Sequence, residues 1–520
     1  MTNGSITFNK SIAAGATFWL MLITLAFGRS ALSQPALNAE NMSLGGGGTA
    51  YLDGPAATFG NPANLFIRDR PGRFHLDIGQ SAFRFEPLES HTSLNRQFED
   101  FLDGYQPYTQ VAAGISNQQR RAILRTHFPG NKLQDQNKQR ADVILAGAVW
   151  QRKDYALSVA LRARYSSRVG IGRGWYDQGF LEHNNRQVRD FSLTQHRSEL
   201  YEIAVGYAQE FTFINGFMPG LNTLYVGIAP KIILAGPAFE ASYNARYIRD
   251  GGQTIRNKFI SSFNMRSSGS FSGTTTDYLQ SRNPREAIRD NIGDNYQFEH
   301  TGYGIGFDFG LNYVIPLSMK KEYPVNQSAP ARVGKSLRIG FSLNDIGAIR
   351  YHSQPLSMSS PVDSSQAGLQ MPVSTMFLGS AGQYIHFLHS ATSLPNPLQN
   401  ADQQSDQPYS ALLPTSINTG MMLDLDRFKV MGDLTLGLNN TAFTTTNLSV
   451  HIGAEIRPVR YIPIRIGTRF SREELFHMGL GTGIETTSWD FTIGARTLFL
   501  RESPQASLVG GAFGGLQFHF

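Results

Sequence analysis

The chain has 520 residues, no cysteine, a formal charge of +6 and 17% charged residues, with 52 glycines, 35 phenylalanines and 20 tyrosines. Zero cysteines exclude a disulfide-stapled scaffold, and a mean hydropathy of -0.25 argues against a bundle of transmembrane helices. The glycine and aromatic content instead suits many strands joined by turns.

In chain order, Lys10 precedes the apolar run IAAGATFWLMLITLAFG, followed by Arg29 and the small-residue site Ala31-Leu32-Ser33. This reads as a secretory signal peptide over residues 1–33, cleaved before Gln34. Export leaves nucleic acid as the least expected partner for the positive charge.

Next comes SLGGGGTAYLDGPAATFGNPANLF, from Ser43 to Phe66. A phosphate loop would need a preceding strand, a following helix and a Lys-Ser/Thr pair; no lysine occurs between Lys10 and Lys132. Gly45, Gly46, Gly47 and Gly48 suit a segment that bends tightly and packs close to other walls. Asn61-Pro62-Ala63 supplies a turn in which asparagine bonds nearby backbone and proline fixes φ.

From about Arg73 onward the period is two. Tyr303, Ile305, Phe307, Phe309, Leu311 and Tyr313 alternate with Gly304, Gly306, Asp308, Gly310 and Asn312. Leu157, Val159 and Leu161 likewise oppose Ser158, Ala160, Arg162 and Arg164, and Ile464 and Ile466 oppose Arg465, Gly467 and Arg469. One face is apolar, and the other carries glycine and scattered charge, as in a barrel whose outside meets lipid. Strands are expected to begin near Arg73, Ala141, Asp154, Ser198, Asn222, Thr301, Lys335, Pro414, Phe428, Asn447, Tyr461, Phe476, Ser488 and Ala506, about fourteen in all.

Long connections alternate with short ones such as QRKD, DLDR and RPVR, placing Pro87–Arg140, Val169–His196, Pro237–His300, Ala348–Leu413 and NNTAFTTT outside the cell. Ser116 and Gln119 have capping-box spacing, with Gly130 beyond, so a short helix is expected over residues 116–130. The chain ends on GGLQFHF. Gly515, Phe518 and Phe520 resemble the terminal signal read by barrel-assembly machinery, although Phe513 stands where that pattern usually has a polar residue.

The box around Gly45–Gly48 and Asn61-Pro62-Ala63 resembles the N-terminal box of FadL-type outer-membrane transporters, a superfamily that includes PorV-like barrels. The resemblance implies an all-β, transmembrane antiparallel β-barrel of about fourteen strands in the outer membrane of a Gram-negative-type bacterium. A hatch over residues 34–72 would plug a barrel formed by residues 73–520. Passive uptake of small hydrophobic or amphipathic molecules, gated by that hatch, is the expected function. A PorV-like docking barrel for secreted or surface proteins is the first alternative and a structural plugged barrel the second.

Arg162, Arg164, Arg465 and Arg469 are candidate ligand contacts in the lumen, because guanidinium binds carboxylate or phosphate in a forked geometry. The competing expectation pairs the lumen arginines, including Arg338, Arg457 and Arg496, with Glu202, Asp308, Asp433, Glu455 and Asp490. His75, His183, His196, His352 and His451 show no catalytic spacing with a serine, so no enzyme, metal or cofactor is expected. Expected partners are outer-membrane lipids, the assembly machinery, hydrophobic or anionic small molecules and, under the docking reading, secretion-system proteins.

Overall fold

The computed structural model describes residues 38–67, 73–86, 134–172, 181–183, 186–211, 222–250, 256–280, 299–317, 335–364, 402–471, 477–498 and 510–520. The signal-type segment and the short helix expected at residues 116–130 lie outside the described residues.

The strands are β1 (Phe74–Glu86), β2 (Gln134–Gln151), β3 (Tyr155–Gly172), β4 (Leu181–His183), β5 (Arg186–Glu210), β6 (Thr223–Ala235), β7 (Ala238–Asp250) and β8 (Arg256–Ser268). They continue as β9 (Gly302–Pro316), β10 (Ser336–Tyr351), β11 (Leu356–Ser364), β12 (Asp402–Ser405), β13 (Tyr409–Leu412) and β14 (Ser416–Asp424). The last six are β15 (Phe428–Gly437), β16 (Leu448–Val459), β17 (Ile462–Ser471), β18 (His477–Glu485), β19 (Trp489–Leu498) and β20 (Gly511–His519).

Fourteen of them close an antiparallel ring in the order β1, β2, β3, β5, β6, β9, β10, β14, β15, β16, β17, β18, β19, β20 and back to β1. The seam between β20 and β1 is closed by Phe520, whose carbonyl accepts from Arg73 N at 2.7 Å and whose amide donates to Phe74 O at 2.9 Å. Inside that seam, His519 lies between His75 (2.8 Å) and Asp490 (2.7 Å).

Side-chain parity follows the alternation. Val159, Ile232, Ile305, Ile452, Ile464 and Ile493 are exposed on the outer face, whereas Arg162, Arg164, Asp308, Arg465 and Arg469 are buried inside. Phe74, Trp150, Tyr461, Trp489 and Phe520 ring the end that carries the short turns, with the Arg152 guanidinium 4.2 Å over Trp150. An apolar belt with an aromatic girdle is what a bilayer requires of a barrel, and the chain is an outer-membrane-type transmembrane barrel with its short turns periplasmic.

Two expectations need correction. β2 begins at Gln134 rather than near Ala141, and β5 at Arg186 rather than near Ser198. The outer part of β2, QDQNKQR, is polar throughout, and that of β5, RQVRDFSLTQHR, is mostly polar with only scattered apolar residues, because a membrane needs only about 9–11 residues of each strand. The segment 237–300, expected as one long external connection, itself holds β7, β8 and helix α3 (Ser270–Gln280). β7 pairs with the upper half of β5, β8 with β7, β11 with β8 and β12 with β11, which raises one side of the wall above the membrane.

Residues 38–67 lie inside the ring. They form helix α1 (Ala39–Ser43), a 3-10 turn (Gly54–Ala56), helix α2 (Ala57–Gly60) and a second 3-10 turn (Pro62–Phe66). No helix among the described residues is long and apolar enough to cross a membrane.

Candidate functional site

The plugging segment is held by its own asparagines. Asn61 accepts from Ala63 N (3.1 Å) to cap the Pro62–Phe66 turn, and donates to Thr49 O (2.7 Å) and to Leu311 O of β9 (3.0 Å). Asn64 donates to Leu52 O at 2.9 Å and accepts from Asn312 of β9 at 2.7 Å. The Asn-Pro-Ala triplet thus folds back on the glycine stretch and fastens both to one wall strand.

The glycine stretch meets a different part of the wall, β15 to β17. Gly45 has φ +89° and its carbonyl bonds His451 Nδ1 at 2.7 Å, while a Cβ on Gly47 would collide with the Asp433 carboxylate. That carboxylate also accepts from Thr49 N at 2.9 Å.

The lumen-facing glycines of the wall complete the fit. A Cβ on Gly227 or Gly310 would fall on Pro62–Ala63 and Asn61, one on Gly340 on Thr49 and Ala50, and one on Gly467 on Leu44 and Gly45. These wall glycines form the socket that receives the segment at backbone distance. Sequence periodicity placed them inside without indicating what they face.

Outward of the segment lies a layer of buried charge. Arg162 Nε bonds Glu202 Oε2 at 3.0 Å, and Arg164 Nη1 bonds Glu202 Oε1 and Asp345 Oδ2, both at 3.0 Å. Lys231 Nζ reaches Asp308 Oδ2 at 2.8 Å and also Asp345, and Arg140 pairs with Asp142 at 2.7 Å. Four cations thereby meet four carboxylates, which is how buried charge is tolerated in a closed lumen.

The layer depends on the SLNDIG stretch. One extra residue in β10 breaks its pairing with β9 between Leu343 and Ile346, with Asp345 at φ +56° and Gly347 at φ +153°. Such a bulge reverses side-chain parity. Arg338, Ser342 and Asn344 face the lumen below it, and Ile349 and Tyr351 face the lumen above it. Asn344 and Asp345, although consecutive, therefore both point inward. Asn344 donates to Gly60 O (2.7 Å) and Phe59 O (3.1 Å) of the plugging segment.

A third obstruction enters from outside. NNTAFTTT, expected as an external loop, bends into the lumen: Phe443 is buried, its ring lies 4.6 Å from the Arg164 guanidinium, and Ala442 O accepts from Ser166 at 2.6 Å. Beyond Glu202 and Asp345 in the strands, a cavity of about 270 Å³ is lined by Leu200, Phe239, Ile349, Tyr351, Tyr409 and Phe443, with Glu240 and Arg266 at its polar side. A second cavity of about 590 Å³ shares Glu240, Arg266 and Tyr409 with it and is otherwise lined largely by polar residues such as Asn264, Ser357 and Gln404.

The four candidate arginines do not form one site. Arg162 and Arg164 lie in the charge layer, whereas Arg465 sits near the periplasmic end, bonding Glu455 at 2.7 Å and also Glu485, with Glu40 of α1 at 3.8 Å. Arg469 lies farther up the same strand and bonds Ser449 at 3.1 Å. Arg338, Arg457 and Arg496 also face the lumen, Arg457 bonding Glu455 at 2.7 Å. At the C-terminus, Phe518 pairs with Leu76 and Trp489, Gly515 faces Ala39, and Phe513 points inward beside Ala39 and Met42. The packing of Phe513 under α1 explains why an aromatic stands there. Arg465→Gln is expected to lower barrel stability by about 3 kcal/mol, because Glu455 and Glu485 would lose the fully buried one of the two cations they share and keep only the more exposed Arg457, measurable as a lower urea midpoint of the folded band on unheated gels.

Among the described residues no cluster of three or more His, Asp or Glu side chains could hold a metal ion. No curated protein matches the sequence. Solved structures similar to it include the toluene transporter TbuX of Ralstonia pickettii, at 12% identity over 94% of this chain and 99% of that one, with a TM-score of 0.39. The toluene transporter TodX of Pseudomonas putida is similar at 10% identity over 94% and 100%, TM-score 0.37. A FadL homologue of Pseudomonas aeruginosa is similar at 11% over 94% and 97%, TM-score 0.35. At these values no residue role carries over. A family model does match, from Asp77 in the first wall strand to Ala495 in the penultimate one, and on that match the chain belongs to DUF5723, a family of unknown function.

Proposed function

We propose that this barrel is an outer-membrane channel for passive uptake of small hydrophobic or amphipathic molecules, closed at rest by the N-terminal segment acting as a hatch. The observation that carries the reading is the outer cavity of about 270 Å³, walled by Leu200, Phe239, Ile349, Tyr351 and Tyr409 and floored by Phe443 above the charge layer. Concave, mostly apolar chambers with a few polar groups suit small-molecule binding. A molecule with an apolar body would rest against the aromatic wall, and a polar edge would meet Glu240 or Arg266.

The test is uptake of a panel of labelled aromatic, aliphatic and amphipathic compounds by cells with and without the protein. Tyr351→Asp is expected to reduce uptake of the transported compounds about tenfold by placing a carboxylate in the chamber, a fold-change equal to about 1.4 kcal/mol. Equal accumulation by both strains across the panel would refute the channel.

The raised sheet of β5, β7, β8, β11 and β12 favours a second reading, a platform that docks a secreted or surface protein. Stable co-purification of one protein partner without any solute flux would select it.

A further inference from the structure

The inward loop and the hatch both rest on the same pair of arginines. Phe443 of the loop lies 4.6 Å from Arg164, and Phe59 of the hatch lies 4.0 Å from Arg162. The two guanidiniums share the Glu202 carboxylate, at 3.0 Å through Arg164 Nη1 and 3.0 Å through Arg162 Nε. Asp345 braces the pair, at 3.0 Å from Arg164 and 3.8 Å from Arg162.

We infer that loop 438–447 is an outer gate and that the Arg162–Glu202–Arg164 unit couples its position to that of the hatch. The inference rests on the channel reading for its purpose, and its physical basis is local. Each arginine is oriented by a ring on one side and a shared carboxylate on the other. Displacing Phe443 frees Arg164 to turn, which redistributes the Glu202 oxygens between two cations and alters the seat of Phe59. Both plugs touch a single charge-balanced group, so disturbing one changes the free energy of the other, as coupling between sites requires. A molecule entering the outer chamber meets Phe443 first, so the outer gate would yield before the hatch.

The native chain has no cysteine, so a single introduced thiol reports without background. Ala56 is buried on the hatch and lines the small periplasmic-side cavity with Asp53, Asp490 and Gln517. Ala56→Cys in the full-length protein in lipid vesicles would be titrated with a maleimide on a polymer too wide to pass through the lumen from the outer side. Removal of the outer loop's ring opens no route to that side, so a faster reaction reports hatch movement.

Phe443→Ala is expected to raise the labelling rate about tenfold, within the range of ordinary coupling energies. Glu202→Gln should raise it as well, and the double variant no further than the larger single effect. Should Glu202→Gln not yield a folded band on unheated gels, Arg164→Lys, which keeps the charge and loses the fork, takes its place in the cycle. An unchanged rate for Phe443→Ala, or effects that multiply in the double variant, would overturn the coupling. Labelling is independent of flux: a responsive thiol in a barrel that passes no solute would count against the channel and leave the coupling intact, and normal flux with an unresponsive thiol would do the reverse.

Discussion

Gly227→Val is expected to turn a closed barrel into a leaky one. A Cβ at this position would land on the backbone between Pro62 and Ala63, which Asn61 caps at Ala63 N, ties to Thr49 O and fastens to Leu311 O of β9. Overpacking usually costs about 1–3 kcal/mol when the neighbour is a side chain able to turn aside. Backbone pinned by proline has no such freedom, so the hatch must shift as a unit and open water paths beside it. Planar-bilayer conductance and sensitivity of cells to bulky antibiotics would read the effect. Gly432→Val is the control: it lies on the outward face of β15, where the nearest heavy atom to an added Cβ is His451 O at 3.8 Å. Its conductance should match the parent, and equal leakiness in both variants would remove the socket as the explanation.

Glu202→Gln should be among the most damaging single changes to stability. It leaves Arg162 and Arg164 buried at 2% and 3% exposure with Asp345 as their chief remaining counter-charge, and truncating one partner of a buried ion group costs about 3–5 kcal/mol. Equilibrium urea unfolding in vesicles, followed by tryptophan fluorescence, would show the lowered midpoint. Adding Arg162→Met restores the charge balance and should recover a substantial part of the loss, although the Phe59 contact with the guanidinium is given up. A midpoint unchanged by Glu202→Gln would mean that the layer is solvated and contributes little to holding the lumen closed.

The wall was largely legible because its determinants are local. Period-two alternation decides which side of a strand meets lipid, and strands such as β3, β6, β9, β10, β16, β17 and β19 begin within a residue of their expected positions. The short turns and the Gly-rich box with Asn-Pro-Ala likewise announced a closed barrel with a segment inside it. The extended outer halves of β2 and β5 escaped notice because above the membrane neither face must be apolar, which removes the alternation that marks a strand.

What alternation cannot carry is who meets whom across the lumen. Asp345 reaches Arg164 and Lys231 because one extra residue in β10 reverses parity, and that offset exists only relative to β9. Asn312 and Asn344 looked like ordinary inward polar residues until the fold set Asn64, Phe59 and Gly60 against them. By itself the sequence determined an exported-type β-barrel with an apolar exterior and a packed N-terminal insert, since burial pattern and turn chemistry act over a few neighbouring residues. Only closure of the ring decided the glycine socket, the balanced charge layer and the inward turn of Phe443, because, the Arg140–Asp142 pair within β2 aside, their contacts join residues far apart in sequence and depend on register around the whole barrel.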